Sequence, residues 1–184
     1  MLNLPIWSFG RLVGISTEVD MRNENSISGI IRLSLPKYLA EFVANQLKSG
    51  DGKLKINRNT FVGSTLYRLL DKVPEDCHFV PPAVSKGKIS LIIDITTVGY
   101  RNEERKNYKH YYFPSSRQKD FEASMKDYFD ELFFSVLSLS AEYSDVEYKM
   151  LINSFCEKYG LDFTEHYEAL KKKYYRYRVS LQAD

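Results

Sequence analysis

The sequence is poor in the residues that build metal centres and disulfide scaffolds. It holds two cysteines, Cys77 and Cys156, and three histidines, at positions 78, 110 and 166. The cysteines form no CxxC pair and the histidines form no HxH or HExxH pair. The sequence therefore predicts neither a zinc site nor a disulfide framework. A reducing, cytoplasmic compartment is the simpler interpretation.

Signatures of enzymes are also lacking. No GxxxxGK[ST] or GxGxxG pattern, which would cradle phosphates, is present. Cys77 and His78 are adjacent in a proline-rich stretch without a marked third partner, which makes a poor nucleophile–base pair. Tyr174, Tyr175 and Tyr177 are possible nucleophiles, but no arginine–histidine set that would stabilise a phosphate accompanies them. We expect neither enzymatic activity nor a cofactor.

Long apolar runs and a strong net charge are absent. No stretch approaches the about 18 apolar residues of a membrane-spanning helix, so no membrane contact is expected. The opening MLNLPIWSFGRLVGIS has no basic region before its mildly apolar run, and we interpret it as part of the fold rather than as a signal peptide. A net charge of only +2 excludes a strong overall attraction to nucleic acid or anionic lipid. An electrostatic partner must be met by a local patch.

The first part of the chain shows the pattern of a strand followed by two helices. The segment ISGIIRLSL at 27–35 alternates apolar and polar residues, which is typical of a half-buried strand. Pro36 suits the first position of a helix, whose apolar side would hold Leu39, Phe42, Val43 and Leu47. Asn59 or Thr60 is expected to cap a second helix that ends near Lys72. The proline-rich segment 74–87 is the best internal boundary.

The second part of the chain predicts a β-hairpin and then three helices. The segments 88–95 and 106–113 are strand candidates on either side of a charged tip. Helical spacing over 117–140 predicts a long helix, and Ser144-x-x-Glu147 predicts the start of another, which would end at Gly160. The expected fold class is α+β, with a strand-helix-helix unit at 1–80 and a hairpin plus helical unit at 81–184. The sequence also allows the two units to share one core.

The last two predicted helices form the best candidate for a binding site. The turn between them, Gly160-Leu161-Asp162, has the length found in helix-turn-helix modules. At 100° per residue the last helix places one stripe toward the preceding helices, formed by Phe163, Tyr167, Leu170, Tyr174 and Tyr177. The same spacing predicts that Lys172, Lys173 and Arg176 lie opposite that stripe, with Lys171 and Arg178 at its flanks and Tyr175 outside it.

Positive charge is concentrated in this last helix. Residues 169–179 include five basic residues and no acidic one, which gives them a charge of +5. Because the whole chain has a net charge of +2, the other residues together carry a net charge of −3. Such concentration favours binding to phosphates. We predict a DNA-binding accessory or regulatory protein, with Tyr175 stacking or hydrogen-bonding and with phosphate contacts from Lys171, Lys172, Lys173, Arg176 and Arg178. The same cations also suit the negative end of the helix dipole, so a merely solvated surface is the alternative.

Other functions stay open at this point. Twelve of the 14 tyrosines lie at or after Tyr100, and such an aromatic excess also suits a protein-interaction or assembly component, including a homo-oligomer. The strand and helix at 27–48 permit a ribbon-helix-helix interpretation, with Ser28, Arg32 and Ser34 facing the bases. The charged tip at 100–106 could act as a wing on the nucleic-acid backbone, although its two glutamates oppose that role.

A resemblance points in the same direction. The segments IIRLSLPKYLAEFVANQL, SFCEKYGLDF and KKYYRYR resemble an uncharacterised family of small proteins from Bacteroides-type bacteria and their phages or mobile elements. The resemblance covers a minor part of the chain, and its motifs carry no catalytic residues. It implies a cytoplasmic or phage-encoded accessory protein associated with DNA.

Overall fold

The computed structural model of the chain describes residues 30–72, 88–95, 111–143 and 147–181. The strands in these ranges are β1 (Ile30–Leu35), β2 (Asp71–Lys72), β3 (Ile89–Asp94) and β4 (Tyr111–Tyr112). The helices are α1 (Lys37–Leu47), α2 (Phe61–Arg68), α3 (Gln118–Tyr143), α4 (Tyr148–Tyr159) and α5 (Phe163–Leu181). The predicted α+β class is confirmed. None of these helices is both long and apolar enough to cross a lipid bilayer.

The main sheet joins β1 to β3. The two strands are antiparallel, with Ile31 opposite Ile93 and Leu33 opposite Leu91. Alternate side chains of β1 are buried while Arg32 is exposed, as the predicted half-buried strand requires. The apolar sides of both strands thereby face the same core.

This pairing differs from the predicted hairpin between 88–95 and 106–113. β3 pairs with β1, and Tyr111–Tyr112 pairs with Asp71–Lys72. Strands that are neighbours in the sequence pair most often. Here β3 pairs with β1 instead, and the buried apolar side chains of the two strands lie side by side on one face of the sheet. Residues 106–110 and the charged tip at 100–106 lie outside the described part of the chain.

α1 packs against the sheet, and α2 packs against α1 and α3. Leu39, Phe42, Val43 and Leu47 of α1 are buried, which confirms the predicted apolar side. Thr60 caps α2 by accepting a hydrogen bond from the Gly63 amide at 3.1 Å. The prediction that this helix reaches Lys72 is wrong, because α2 ends at Arg68 and the chain then forms β2.

α3 supplies the centre of the core. A stripe with a spacing of four residues is fully buried, formed by Phe121, Met125, Phe129, Phe133 and Leu137. The rings of Phe133 and Phe155 meet edge to face with centroids 5.0 Å apart, which packs α4 against α3. The long apolar periodicity of the sequence is therefore confirmed as a core helix.

The start of α4 differs from the predicted capping box. Glu147 precedes the first helical residue and makes no capping hydrogen bond with its side chain, whereas the prediction placed it inside the first turn. Met150, in the first turn of α4, is 61% exposed. Ser144, the other half of the predicted box, lies outside the described residues.

One core runs through all of the described ranges. Buried side chains from β1, α1, β3, α3, α4 and α5 belong to a single cluster. The 80/81 division itself falls in residues that the structure does not describe. The candidate binding helix thus rests on the same core as the strands.

Candidate nucleic-acid interface

A tight turn between α4 and α5 positions the C-terminal helix. Gly160 ends α4 in the left-handed conformation, with φ 71°, and its amide donates to the Cys156 carbonyl. Asp162 caps α5, because its Oδ1 accepts hydrogen bonds from the amides of Thr164 at 2.9 Å and of Glu165 at 3.3 Å. The Thr164 hydroxyl, together with these amides, holds the pKa of the Asp162 carboxyl below its ordinary value. The predicted end of α4 at Gly160 is confirmed.

The apolar side of α5 is buried as the sequence predicted. Leu170 and Tyr174 are buried, and Tyr177 is partly buried against the core. The Tyr177 ring stacks on Phe134 of α3, with centroids 4.1 Å apart and ring planes 7° apart. This packing fixes which side of α5 faces the solvent.

Polar contacts hold the first half of α5 against α1. His166 Nε2 lies 2.9 Å from Glu41 Oε2, which also accepts a hydrogen bond from the Asp162 amide at 3.3 Å. Lys37 of α1 forms a salt bridge with Glu165. These bonds join residues that are 121 to 128 positions apart in the sequence.

The same cluster contains a possible set of metal ligands. Ligand atoms of Glu41, Glu165 and His166 all lie within 4.8 Å of one another, and histidine with carboxylates is a donor set found at zinc sites. Each of these groups already has a partner of its own, since Lys37 pairs with Glu165 and His166 pairs with Glu41. We therefore assign the cluster to the docking of α5 on α1.

Lys173 is turned away from the solvent-facing side. Its ammonium forms a salt bridge with Asp130 of α3 and lies 5.5 Å from the centre of the Phe129 ring. The prediction that it lies opposite the buried stripe is wrong, because one residue before Tyr174 is only 100° from it on a helix. That places Lys173 at the edge of the stripe that packs on α3. Its charge is compensated within the chain.

The other four predicted cations are exposed on α5. They form what we call the basic surface, which consists of Lys171, Lys172, Arg176 and Arg178. Tyr175 lies among them with 70% of its surface exposed. In the described part of the chain no carboxylate forms a salt bridge with Lys172 or Arg176.

Aromatic rings hold two members of the basic surface in place. The Arg178 guanidinium lies 5.2 Å from the centre of the Tyr148 ring and donates a hydrogen bond to the Tyr148 hydroxyl at 2.9 Å. The Lys171 ammonium lies 5.6 Å from the centre of the Tyr167 ring. Contacts of this kind orient a cation without neutralising it.

A cavity of about 600 Å³ opens along the seam between α4 and α5. Four tyrosine rings line it, those of Tyr148, Tyr167, Tyr174 and Tyr175. All four members of the basic surface also line it, and among the described residues the carboxylate that lines it is that of Glu168. We call it the α4–α5 cavity. It combines flat aromatic surface with a local excess of positive charge.

Sequence reasoning missed the contribution of α4 to this cavity. Tyr148 and Ile152 reach it from the first turns of α4. A signal was present, because two antiparallel helices joined by a short turn bring the start of the first beside the end of the second. That geometry predicts a neighbour for Arg178 near the start of α4.

The remaining sequence candidates gain no support. Cys77, His78 and Ser28 lie outside the described residues. Burial raises the pKa of the Cys156 thiol to about 11, which leaves it protonated and unreactive at neutral pH.

The strand of the ribbon-helix-helix interpretation pairs within the chain. In such a dimer the partner of this strand is the same strand of a second copy. Here the partner of β1 is β3, across the pair formed by Arg32 and Ile92. Arg32 is exposed and Ser34 is half-buried, so the two predicted base-facing residues do not share one open surface.

Comparisons with models of protein families, with curated proteins and with solved structures each found no match. The resemblance drawn from the sequence segments therefore stays a prediction. What can be said about function rests on the geometry of α4 and α5.

Proposed function

We propose that this protein is a non-enzymatic nucleic-acid-binding accessory or regulatory protein, which contacts DNA through the basic surface of α5. The observation that carries the proposal is the exposure of Lys172 and Arg176 on a helix whose opposite side is packed into the core. Closely spaced, exposed cations of this kind neutralise the phosphates of nucleic acid and release the counterions bound there.

The two kinds of cation contribute differently. Lysine presents a point charge to a phosphate oxygen, whereas the planar guanidinium of arginine binds two oxygens at once. Lys172 and Arg176 are four residues apart, so they project from neighbouring turns about 6 Å apart along the helix axis. A strand lying along α5 would therefore meet both cations.

The charge of the rest of the chain restricts binding to this surface. Residues 169–179 carry five of the positive charges, and the remainder carries a net −3. A polyanion is repelled weakly elsewhere and attracted here, which favours one orientation.

Removing the two cations that form no salt bridge within the described residues tests the proposal. The variant Lys172→Ala with Arg176→Ala should bind random-sequence DNA about tenfold more weakly near 0.1 M salt, because two phosphate contacts are lost. The slope of log K against log salt should fall by about 2, close to 0.9 for each contact. Fluorescence anisotropy titrations of labelled DNA at several salt concentrations measure both quantities.

The matched control removes the same charge from another helix. Lys119 and Lys126 are exposed on α3, so Lys119→Ala with Lys126→Ala should leave the salt slope of the parent protein nearly unchanged. Equal slopes for the two double variants, or no measurable DNA binding by the parent, would overturn the proposal.

A second candidate is a protein-interaction or assembly component. Large apolar side chains are exposed near one end of the three C-terminal helices, namely those of Leu139, Met150, Val179 and Leu181. They share an end because the start of α4 lies beside the end of α5, as the contacts of Tyr148 with Tyr174 and Arg178 show. The second half of α3 lies beside the same part of α5, as the stacking of Phe134 on Tyr177 shows. Exposed apolar patches often mark contacts between proteins.

A further inference from the structure

We propose that the α4–α5 cavity receives an unstacked nucleobase, so that the protein prefers single-stranded to duplex nucleic acid. This inference rests on the proposed function and adds the form of the nucleic acid. A duplex presents its bases already stacked and paired, whereas a single strand can turn one base into a recess.

The dimensions of the cavity suit such a guest. Its volume of about 600 Å³ falls in the range of about 300–1,000 Å³ that is usual for pockets holding small organic molecules. Its lining runs from Tyr167 to Arg178 along α5, about 16 Å of helix. A recognition helix in the major groove instead offers a convex surface with its side chains in the groove.

The aromatic lining supplies stacking surfaces. Tyr175 is 70% exposed and Tyr148 is 40% exposed. The centroid of the Tyr148 ring lies 5.4 Å from that of Tyr174, and the Tyr148 hydroxyl accepts a hydrogen bond from Arg178. These contacts hold the Tyr148 ring in position before any ligand arrives. Stacking on such rings tolerates any base, because every base has a flat π surface.

The cations around the rings supply the second half of the recognition. Lys171 and Arg178 lie against Tyr167 and Tyr148 at the wall of the cavity. Lys172 and Arg176 stand beside them, and no carboxylate of the described residues forms a salt bridge with either. A base seated between the rings would therefore have its flanking phosphates within reach of positive charge, which is how proteins without sequence preference bind single strands.

A single strand fits this lining better than a free mononucleotide. One mononucleotide needs one base site and one phosphate site. Here four cations line a groove that spans twelve residues of α5, from Tyr167 to Arg178. Extra cations gain energy only when further phosphates follow the first.

The decisive comparison uses intact and abasic strands. A labelled twelve-nucleotide single strand, the same strand with abasic sugars, its duplex and a mononucleotide are titrated against the same protein by anisotropy or competition. We expect the intact strand to bind about tenfold more tightly than the abasic strand and more tightly than the duplex at equal salt. The mononucleotide should compete only weakly.

Tyr175 offers a substitution that spares the core, because its ring is the most exposed of the four. Tyr175→Leu should weaken binding of the intact strand by about tenfold and leave the abasic strand unaffected, while Tyr175→Phe should bind as the parent does. Phe61→Leu, which removes a ring that is 44% exposed on α2, is the matched control and should bind as the parent does.

The possible failures are distinguishable. If all strands bind equally and Tyr175→Leu changes nothing, the cavity takes no base, although phosphate binding by the basic surface stands. If duplex binds more tightly than single strand, the inference is likewise overturned. If no nucleic acid binds at all, both the proposed function and this inference fall.

Discussion

At the scale of single residues, Gly160 decides how α5 leaves α4. Its φ of 71° lies in the left-handed region, and a Cβ added there would come within 2.4 Å of Asn45 Nδ2. A side chain at this position would thus strain the backbone and press on α1 together. The direction of the basic helix depends on the absence of one carbon atom.

Gly160→Ala should destabilise the protein by about 1–2 kcal/mol from the left-handed backbone alone, with a further loss wherever Asn45 cannot move aside. Urea unfolding followed by circular dichroism gives the change. The control is Gly50→Ala, since a Cβ at Gly50 meets nothing within 4 Å and its φ is not positive. Equal changes in the two variants would contradict the argument.

Asp162 acts at the same turn through its charge. The folded protein lowers the pKa of its carboxyl, chiefly through the Thr164 hydroxyl and then through backbone amides. A carboxyl whose folded pKa is depressed contributes stability above its unfolded pKa, near about 3.9, and loses it as the pH falls through the folded pKa. The ionised Asp162 cap therefore stabilises the start of α5 at neutral pH, and this stabilisation is lost in acid.

At the scale of elements, α5 has two edges with basic residues, and on one of them the positive charge is compensated by a carboxylate. Lys173 lies on the edge that meets α3, where Asp130 compensates it. Lys171 and Arg178, seven residues apart and so on the same edge, face the α4–α5 cavity. Only the second edge and the outer surface offer charge to a ligand.

Lys173 and Lys172 should consequently behave differently when each is replaced by methionine. Lys172→Met should lower the salt slope of DNA binding by about 1, because it removes a phosphate contact. Lys173→Met should leave the slope unchanged and reduce stability, since Asp130 loses the partner of a half-buried pair. Paired anisotropy and urea titrations test this, and a slope change for Lys173→Met as large as that for Lys172→Met would refute it.

The elements also show how far the sequence could lead. Helical spacing identified the buried sides of α1, α3 and α5, because amphipathic periodicity is a local property. It did not give the strand partner of β3 or the Asp130 partner of Lys173. Both depend on which element packs alongside, and spacing along one segment carries no information about that.

For the candidate site too, the sequence predicted one part and missed another. Five of its predicted residues are exposed on α5, whereas Tyr148 and Ile152 of the cavity wall come from another helix. Local charge and spacing located the cations. The α4–α5 cavity is formed by the packing of two helices, so the sequence of either helix alone does not predict it.

At the scale of the whole molecule, substitutions in the exposed apolar residues at the end of the C-terminal helices test the second candidate function, which is assembly. If this end mediates assembly, the mass measured by light scattering should rise with concentration and be insensitive to salt. Met150→Asp with Leu181→Asp should then leave a monomer. Ile92→Asp, at a 52% exposed position on the sheet, is the control and should assemble as before. A parent protein that stays monomeric at all concentrations would remove this candidate.

The bonds between α1 and α5 also limit how the protein can be divided. A fragment that keeps only the last two helices would carry every lysine and arginine of the proposed interface and yet lose Glu41, the acceptor for His166 and for the first turn of α5. Grafting that helical pair onto another scaffold would transfer the charges without their rigid mounting. The proposed affinity for a polyanion would therefore belong to the intact polypeptide rather than to a portable module.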